Sequence, residues 1–210
     1  MRPIIVTASE GEEFDAIRDI TWPRIAAYAE KHSFDFTAID MPEAIDRPSS
    51  WKKLHAIAVG FQTHDTVIWV DADVYPLNFS DNIMDGVPDE CWQAMVRHTT
   101  NEGEVPNAGV WILRRHMLPL LVGAAMVDEM IHHRWWEQAV IVGALGYVEQ
   151  DGILRHETET DLFRHTHWLD ESWNVCRYTP AGTKQNWLHA CGHIDDRLAV
   201  IKEWDRAANA

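Results

Sequence analysis

The sequence predicts an α/β fold: a Rossmann-like, mostly parallel central sheet covered by helices, followed by a more irregular second half. Two observations predict it. Up to Val70, short β-branched apolar runs alternate with amphipathic stretches in the order strand, helix, strand, helix, strand. That order is the signature of a parallel sheet covered by helices. The third run, Val67-Ile68-Trp69-Val70, reads as a strand buried on both faces and leads straight into Asp71-Ala72-Asp73. Open α/β sheets bind ligands at the carboxyl ends of such strands.

Taken in order, Ile4–Ala8 is a short buried strand that ends in the turn Ser9-Glu10-Gly11. Phe14, Ile17, Ile20 and Ile25 are spaced for a helix over Glu12–Lys31, which Pro23 should kink or split. Phe34–Ile39 is the second strand, and Asp40–Ser50 is a polar loop. Ser49 or Ser50 caps a helix over Trp51–Phe61, with Leu54, Ile57 and Ala58 facing inward. In the third strand, extended backbone points side chains i and i+2 the same way. Asp71 and Asp73 should therefore project together, and Pro76 should stop the strand. Cys91–Arg97 and Gly109–Leu113 follow as strands around a polar loop, His98–Pro106. Leu118–Ile131 and Trp135–Leu145 read as helices. Beyond Gly146 the pattern weakens: His156–His167 is helical at best and Trp173–Asn186 is a loop. Trp187–Cys191 is a strand and Asp195–Trp204 a closing helix. No repeat or linker divides the chain, so residues 1–210 are expected to form one domain.

Thirty-three acidic residues against eighteen basic ones give a net charge of -15. This opposes non-specific binding to nucleic acid or anionic membrane. The cations are denser after Trp111 (Arg114, Arg115, Arg134, Arg155, Arg164, Arg177, Lys184), where an anionic ligand is better served. Three cysteines without CxxC spacing, no membrane-length apolar run and no leader pattern predict a cytoplasmic protein.

Two convergent carboxylates repel each other unless a cation lies between them. Hard oxygens suit Mg²⁺ or Mn²⁺, particularly when a substrate diphosphate completes the shell. The bland alternative is a solvated turn. His189, Cys191 and His193 alternate along one strand and invite a zinc reading with His165 or His167, although zinc sites show tighter, paired spacing.

Several motifs occur in one order: Trp51-Lys52-Lys53-Leu54-His55-Ala56-Ile57, Asp71-Ala72-Asp73, Asn107-Ala108-Gly109-Val110, Trp136-Glu137-Gln138, Trp173-Asn174 and His189-Ala190-Cys191-Gly192. The series resembles the metal-dependent GT-A glycosyltransferases, especially family 8 (glycogenin and bacterial galactosyltransferases), and equally the α-galactosyl/xylosyl-transferase family. It spans Trp51 to Gly192. The resemblance implies a GT-A fold, with residues 1–110 as the nucleotide-sugar-binding half and 111–210 as the acceptor-side half. It implies transfer of a hexose from a UDP-sugar to a hydroxyl with retention, the acceptor being a saccharide, a protein or a hydroxymethylated DNA base. Asp71, Asp73 and His189 would hold the metal, and the imidazole shifts preference from Mg²⁺ toward Mn²⁺. Thr7, Lys53, Asp71, Asn107, Gly192 and His193 would contact the donor, and Glu137 and Gln138 would lie beside the reacting sugar.

Three departures stand out. No lysine follows Gly192 to grip a diphosphate, which leaves His193, Lys184 or Arg197 for that contact. The first strand lacks the family's acidic residue for uracil, and Glu137 replaces an aspartate common in the family. Two rivals remain. A nucleotidyltransferase would need a basic, glycine-rich loop where Ser9-Glu10-Gly11-Glu12-Glu13 is acidic; a non-catalytic nucleotide-sugar-binding module would not need both carboxylates and Glu137.

Overall fold

The computed structural model describes residues 2–41, 46–192 and 196–210. In chain order the elements are β1 (Ile4–Ser9), α1 (Glu12–Lys31), β2 (Asp35–Asp40), α2 (Ser49–Gly60), β3 (Thr66–Val70), β4 (Val74–Pro76), β5 (Gln93–Thr100), β6 (Gly103–Arg114), α3 (Leu118–Ala125) and α4 (Glu137–Ala144). They continue with β7 (Tyr147–Gln150), β8 (Ile153–His156), α5 (Asp161–Arg164), β9 (Thr166–Leu169), β10 (Trp187–His189) and α6 (Arg197–Ala208).

The main sheet runs β2-β1-β3-β6-β5-β9, with the β7–β8 hairpin attached through β8 to β6. β1 pairs parallel with β2 and β3, and β5 with β9. β6 enters antiparallel between β3 and β5. The central strands are apolar on both faces because both are covered. Val67 and Trp69 of β3 pack beneath α2, α3 and α4, while Ile68 and Val70 pack into the core that α1 covers on the other face. This two-sided burial is why β3 reads as a continuous apolar run rather than an alternating one. The boundary expected at residue 110 falls inside β6, so both halves build one sheet.

Several local expectations change. Pro23 neither ends nor splits α1. It is exposed, as is Asp19, whose carbonyl the ring leaves without its helical donor, so water can satisfy that oxygen. Ser49 and Ser50 lie inside the first turn of α2 rather than capping it; Pro48 precedes the helix and its carbonyl accepts from Trp51 N at 2.9 Å. The helix from Leu118 stops at Ala125 instead of Ile131. Tertiary groups take the carbonyls beyond it: Arg47 Nη1 donates to Val127 O at 3.0 Å and Trp51 Nε1 to Ile131 O at 3.1 Å. The polar stretch His98–Pro106 is not a loop but the tip of the β5–β6 hairpin, turning at Asn101-Glu102. The weakly patterned tail holds the β7–β8 hairpin, a single turn of helix at α5, and β9.

The two aspartates do not share a strand. Asp71 lies just past β3, and the chain turns through Ala72-Asp73 into β4, closed by Val74 N donating to Asp71 O at 3.1 Å. β4 leaves the main sheet and pairs antiparallel with β10, which sets Val74 opposite His189. That short second sheet carries the end of the chain back to the acidic turn.

Candidate active site

The Asp71-Ala72-Asp73 turn is anchored from three sides. Asp71 N donates to Gly109 O of β6 at 2.8 Å, Thr21 Oγ1 of α1 to Ala72 O at 2.8 Å, and Ala190 N to Asp73 O at 3.1 Å. His189, on β10, is buried, and its Nε2 lies 3.3 Å from Asp73 Oδ1 and 3.8 Å from Asp71 Oδ2. Its Nδ1 donates to Asn174 Oδ1 at 2.7 Å, and Asn174 Nδ2 donates in turn to Asn107 Oδ1 at 2.9 Å. This chain fixes the ring and presents Nε2 to the carboxylates, as outer partners do for metal-ligating imidazoles. Gly109 makes room for it. A Cβ there would sit 2.1 Å from His189 Cε1.

Among the described residues, Asp71, Asp73 and His189 form the group of side chains able to hold a metal ion, with ligand atoms all within 4.8 Å of one another. Two carboxylates and one imidazole are a donor set suited to Mn²⁺. Burial alone would raise the Asp73 pKa, but the His189 imidazole and then the Arg197 guanidinium hold it below its usual value. Burial likewise works against charge on His189, and Asp73 overrides it, so its pKa is raised. Among the described residues no zinc set of His189, Cys191 and His165 or His167 is gathered: His165 stacks on Trp92, with ring centroids 4.4 Å apart, and His193 lies outside the described residues.

A cavity of about 640 Å³ opens on this group. Its walls include Ser9 at the end of β1 and Glu10 just beyond it, Lys53 of α2, Asn107 of β6, Trp135, Trp136, Glu137, Gln138, Gly192 and Arg197. Lys53 Nζ bridges Asp71 Oδ1 at 3.0 Å and Glu137 Oε1 at 2.9 Å. Burial opposes its charge, but the two carboxylates raise its pKa above the usual lysine value. Glu137, also buried, has its carboxyl pKa raised by burial, against the pull of Lys53. Its second oxygen, Oε2, has no hydrogen-bond partner. Gln138 Oε1 accepts from Ala108 N at 3.1 Å, which fastens the start of α4 to β6. Trp136, immediately before α4, takes φ 47° and ψ −130°, a conformation that costs a non-glycine residue energy and that clusters at functional sites.

Arg197 makes contacts the sequence only half suggested. Its Nε donates to Ala190 O at 2.8 Å and lies 3.0 Å from Asp73 Oδ2, and its Nη2 donates to Gly192 O at 2.9 Å. Gly192 has φ 83°, in the left-handed region that favours glycine. Trp69 Nε1, donating to Asp71 Oδ1 at 2.6 Å, had no sequence signal beyond its place two residues earlier on the strand. Lys184 pairs with Asp81 and does not line the cavity. Thr7 does not reach it either: it is fully buried two residues before the end of β1, and Ser9 and Glu10 take that wall.

No protein-family model matches the chain, and no curated protein matches its sequence. Solved structures do match. A glycosyltransferase involved in the glycosylation of the major capsid of PBCV-1 superposes over 100% of this chain and 99% of its own, with TM-score 0.70 at 15% identity. The fold is that of the GT-A glycosyltransferases. GlyE of Streptococcus pneumoniae TIGR4 superposes over 98% of this chain, though only 60% of its own, at TM-score 0.63 and 12% identity. The galactosyltransferase LgtC, solved with donor and acceptor sugar analogs, gives TM-score 0.58 at 14% identity over 98% and 95% of the two chains. At such identities the likeness is one of GT-A architecture. No helix among the described residues is long and apolar enough to cross a membrane.

Proposed function

We propose that this chain is a divalent-metal-dependent glycosyltransferase that moves a hexose from a nucleotide-diphosphate sugar, UDP-linked, to a hydroxyl of a saccharide acceptor. The observation that carries this reading is a single cavity with the Asp71–Asp73–His189 group on one wall and Glu137 and Gln138 on another. LgtC, which shares the fold, was captured with donor and acceptor sugar analogs.

Asp71, Asp73 and His189 hold the cation, Mn²⁺ before Mg²⁺. When bound, it supplies the Lewis acid that neutralises the diphosphate leaving group. The chain's own residues do the rest. Arg197 adds positive charge beside the backbone at Gly192, where the donor's phosphates pass. Lys53 bridges Asp71 and Glu137 and so fixes the spacing between them. Glu137 Oε2, free of other partners, supports the positive charge that develops on the anomeric centre. Its raised pKa leaves the group able to hold a proton if Lys53 is lost. Asn107 contacts the transferred sugar. The exposed indole of Trp136 at the rim offers an apolar face on which an acceptor pyranose can stack. Transfer runs with retention: the acceptor hydroxyl attacks on the face the diphosphate leaves, and a diphosphate oxygen takes its proton. A DNA acceptor has less support, because Arg115, Arg134 and Arg164 are paired with surface carboxylates rather than aligned as an open cationic stripe.

The test is a panel of nucleotide sugars with Mn²⁺, reading release of free nucleoside diphosphate. At least one donor should turn over, and Asp73→Asn should abolish that turnover with an unchanged circular dichroism spectrum. Full activity in Asp73→Asn, or in excess chelator, overturns the reading.

A further inference from the structure

Behind one wall of the cavity lies a thiol–imidazole cluster that glycosyl transfer does not use. His98, on β5, is 1% exposed, and its Nε2 lies 3.6 Å from the sulfur of Cys176. Its Nδ1 has no hydrogen-bond partner; the nearest charge is Glu171 Oε2 at 3.8 Å, which also lacks one. The backbone brings a second thiol to the same place. Val175 N donates to Trp187 O at 2.9 Å and His189 N to Val175 O at 2.7 Å, so the segment entering Cys176 runs parallel to β10. β10 then leads through Ala190 to Cys191, which brings the second cysteine to the same side of the cavity as His98, and the two thiols influence each other's protonation. Cys191 and His98 both line the cavity. Cys176 and Cys191 are free thiols.

We propose that Cys176 and Cys191 are a redox-active thiol pair that a peroxide converts to a disulfide across the cavity wall. Cys176 passes its proton to His98, and its sulfur attacks one oxygen of hydrogen peroxide. The O–O bond breaks, Cys176 becomes a sulfenic acid, and the departing hydroxide leaves as water with the proton from His98. The Cys191 sulfur then attacks the Cys176 sulfur; the S–S bond forms, and hydroxide leaves as water with the Cys191 proton. In total two thiols and one peroxide give one disulfide and two waters, and the peroxide takes both electrons. Cys191 and then the His98 imidazole, 3.6 Å away, hold the Cys176 thiol below its usual pKa, which favours thiolate, the form that reacts. Cys91 has neither partner: it is buried in a separate part of the core, and burial raises its pKa. The new bond ties down the segment that carries Gly192, so one oxidation changes the phosphate-facing wall of the cavity.

The experiment is mass spectrometry of the full chain after brief exposure to hydrogen peroxide, with peptide mapping. The expected product has lost the mass of two hydrogen atoms, carries a Cys176–Cys191 cross-link within one chain, and reverts with a phosphine reductant. Cys191→Ser should instead retain a sulfenic acid on Cys176 that dimedone captures, and Cys176→Ser should give neither product. Oxygen additions on the wild-type cysteines with no loss of hydrogen overturn the proposal. So does a cross-link that includes Cys91, or one that joins two chains. The wild-type result stands by itself should either variant fold poorly, and it does not depend on the chain being a glycosyltransferase.

Discussion

His189 owes its position to two neighbours with different jobs. Asn174 selects which ring nitrogen faces the aspartates, and Gly109 leaves the space the ring occupies. Gly109→Ala should therefore push the imidazole off the carboxylates. Thermal unfolding should show a loss of about 2 kcal/mol, the usual range for overpacking, together with weaker Mn²⁺ binding. An unchanged melting temperature and unchanged metal affinity would show that the ring can shift at no cost. Lys53 is the other residue on which the site turns, because it is the cation between two carboxylates, one of them fully buried. Removing one partner of a buried charged pair leaves the other uncompensated, at a cost of about 3 kcal/mol or more. Lys53→Met should lose that much in denaturant unfolding at neutral pH and recover part of it in acid, as Glu137 takes up a proton. A loss that is the same at every pH would mean packing, not charge, is what Lys53 contributes.

Among the elements, α1 and the start of α4 carry the most informative irregularities. Pro23 removes one helical hydrogen bond on the exposed side of α1, so Pro23→Ala should stabilise the fold by about 1 kcal/mol or more in equilibrium unfolding. A destabilised variant would mean the ring packs usefully where it is. Trp136 is strained at the N-terminal edge of α4. Trp136→Gly should relieve roughly 1 kcal/mol of backbone strain and so leave stability unchanged or higher, while KM for a saccharide acceptor rises several-fold and KM for the donor stays put. A rise confined to the donor would move the indole to the other side of the reaction. These same elements show what the sequence could and could not reveal. The helix over Glu12–Lys31 was legible from apolar residues at helical spacing, and the strand before Asp71 from an unbroken β-branched apolar run that is buried on both faces. The β5–β6 hairpin tip was not: Thr99, Thr100, Asn101, Glu102 and Glu104 are polar because that ribbon projects beyond the covered core and lines the cavity, so composition pointed to a loop. Asp71 and Asp73 converge as expected, but through a turn held by distant backbone groups, which no local spacing records.

For the molecule as a whole, an acidic surface with a net charge of -15 is stabilised where carboxylates find cations. Glu10, at the end of β1, has its pKa lowered first by the hydrogen bond from Lys52 and then by Ser49. A carboxylate depressed in the folded state adds stability above its unfolded value, about 4.3, and that stability is lost as pH falls through the folded value. Glu10→Gln should melt below wild type at neutral pH, with the gap closing in acid as the folded carboxyl takes up its proton; a gap that persists in acid would remove the ion pair as its cause. The distribution of the candidate site over the chain explains why its central residues were more legible in the sequence than its rim. Asp71, Asp73, His189, Glu137 and Gln138 carried recognisable spacing, whereas Arg197 acts from a helix far along the chain and Thr7 was placed by its strand rather than by its depth. The metal group joins β3, β4 and β10, so the most direct measurement is on the ion itself. Free Mn²⁺ can be followed by its electron paramagnetic resonance signal as protein is added, with and without UDP. Wild type should quench the signal at one ion per chain and more tightly with UDP, while Asp73→Asn leaves it intact. Equal quenching by Asp73→Asn, or none by wild type even with UDP, would contradict a cation held by Asp71, Asp73 and His189.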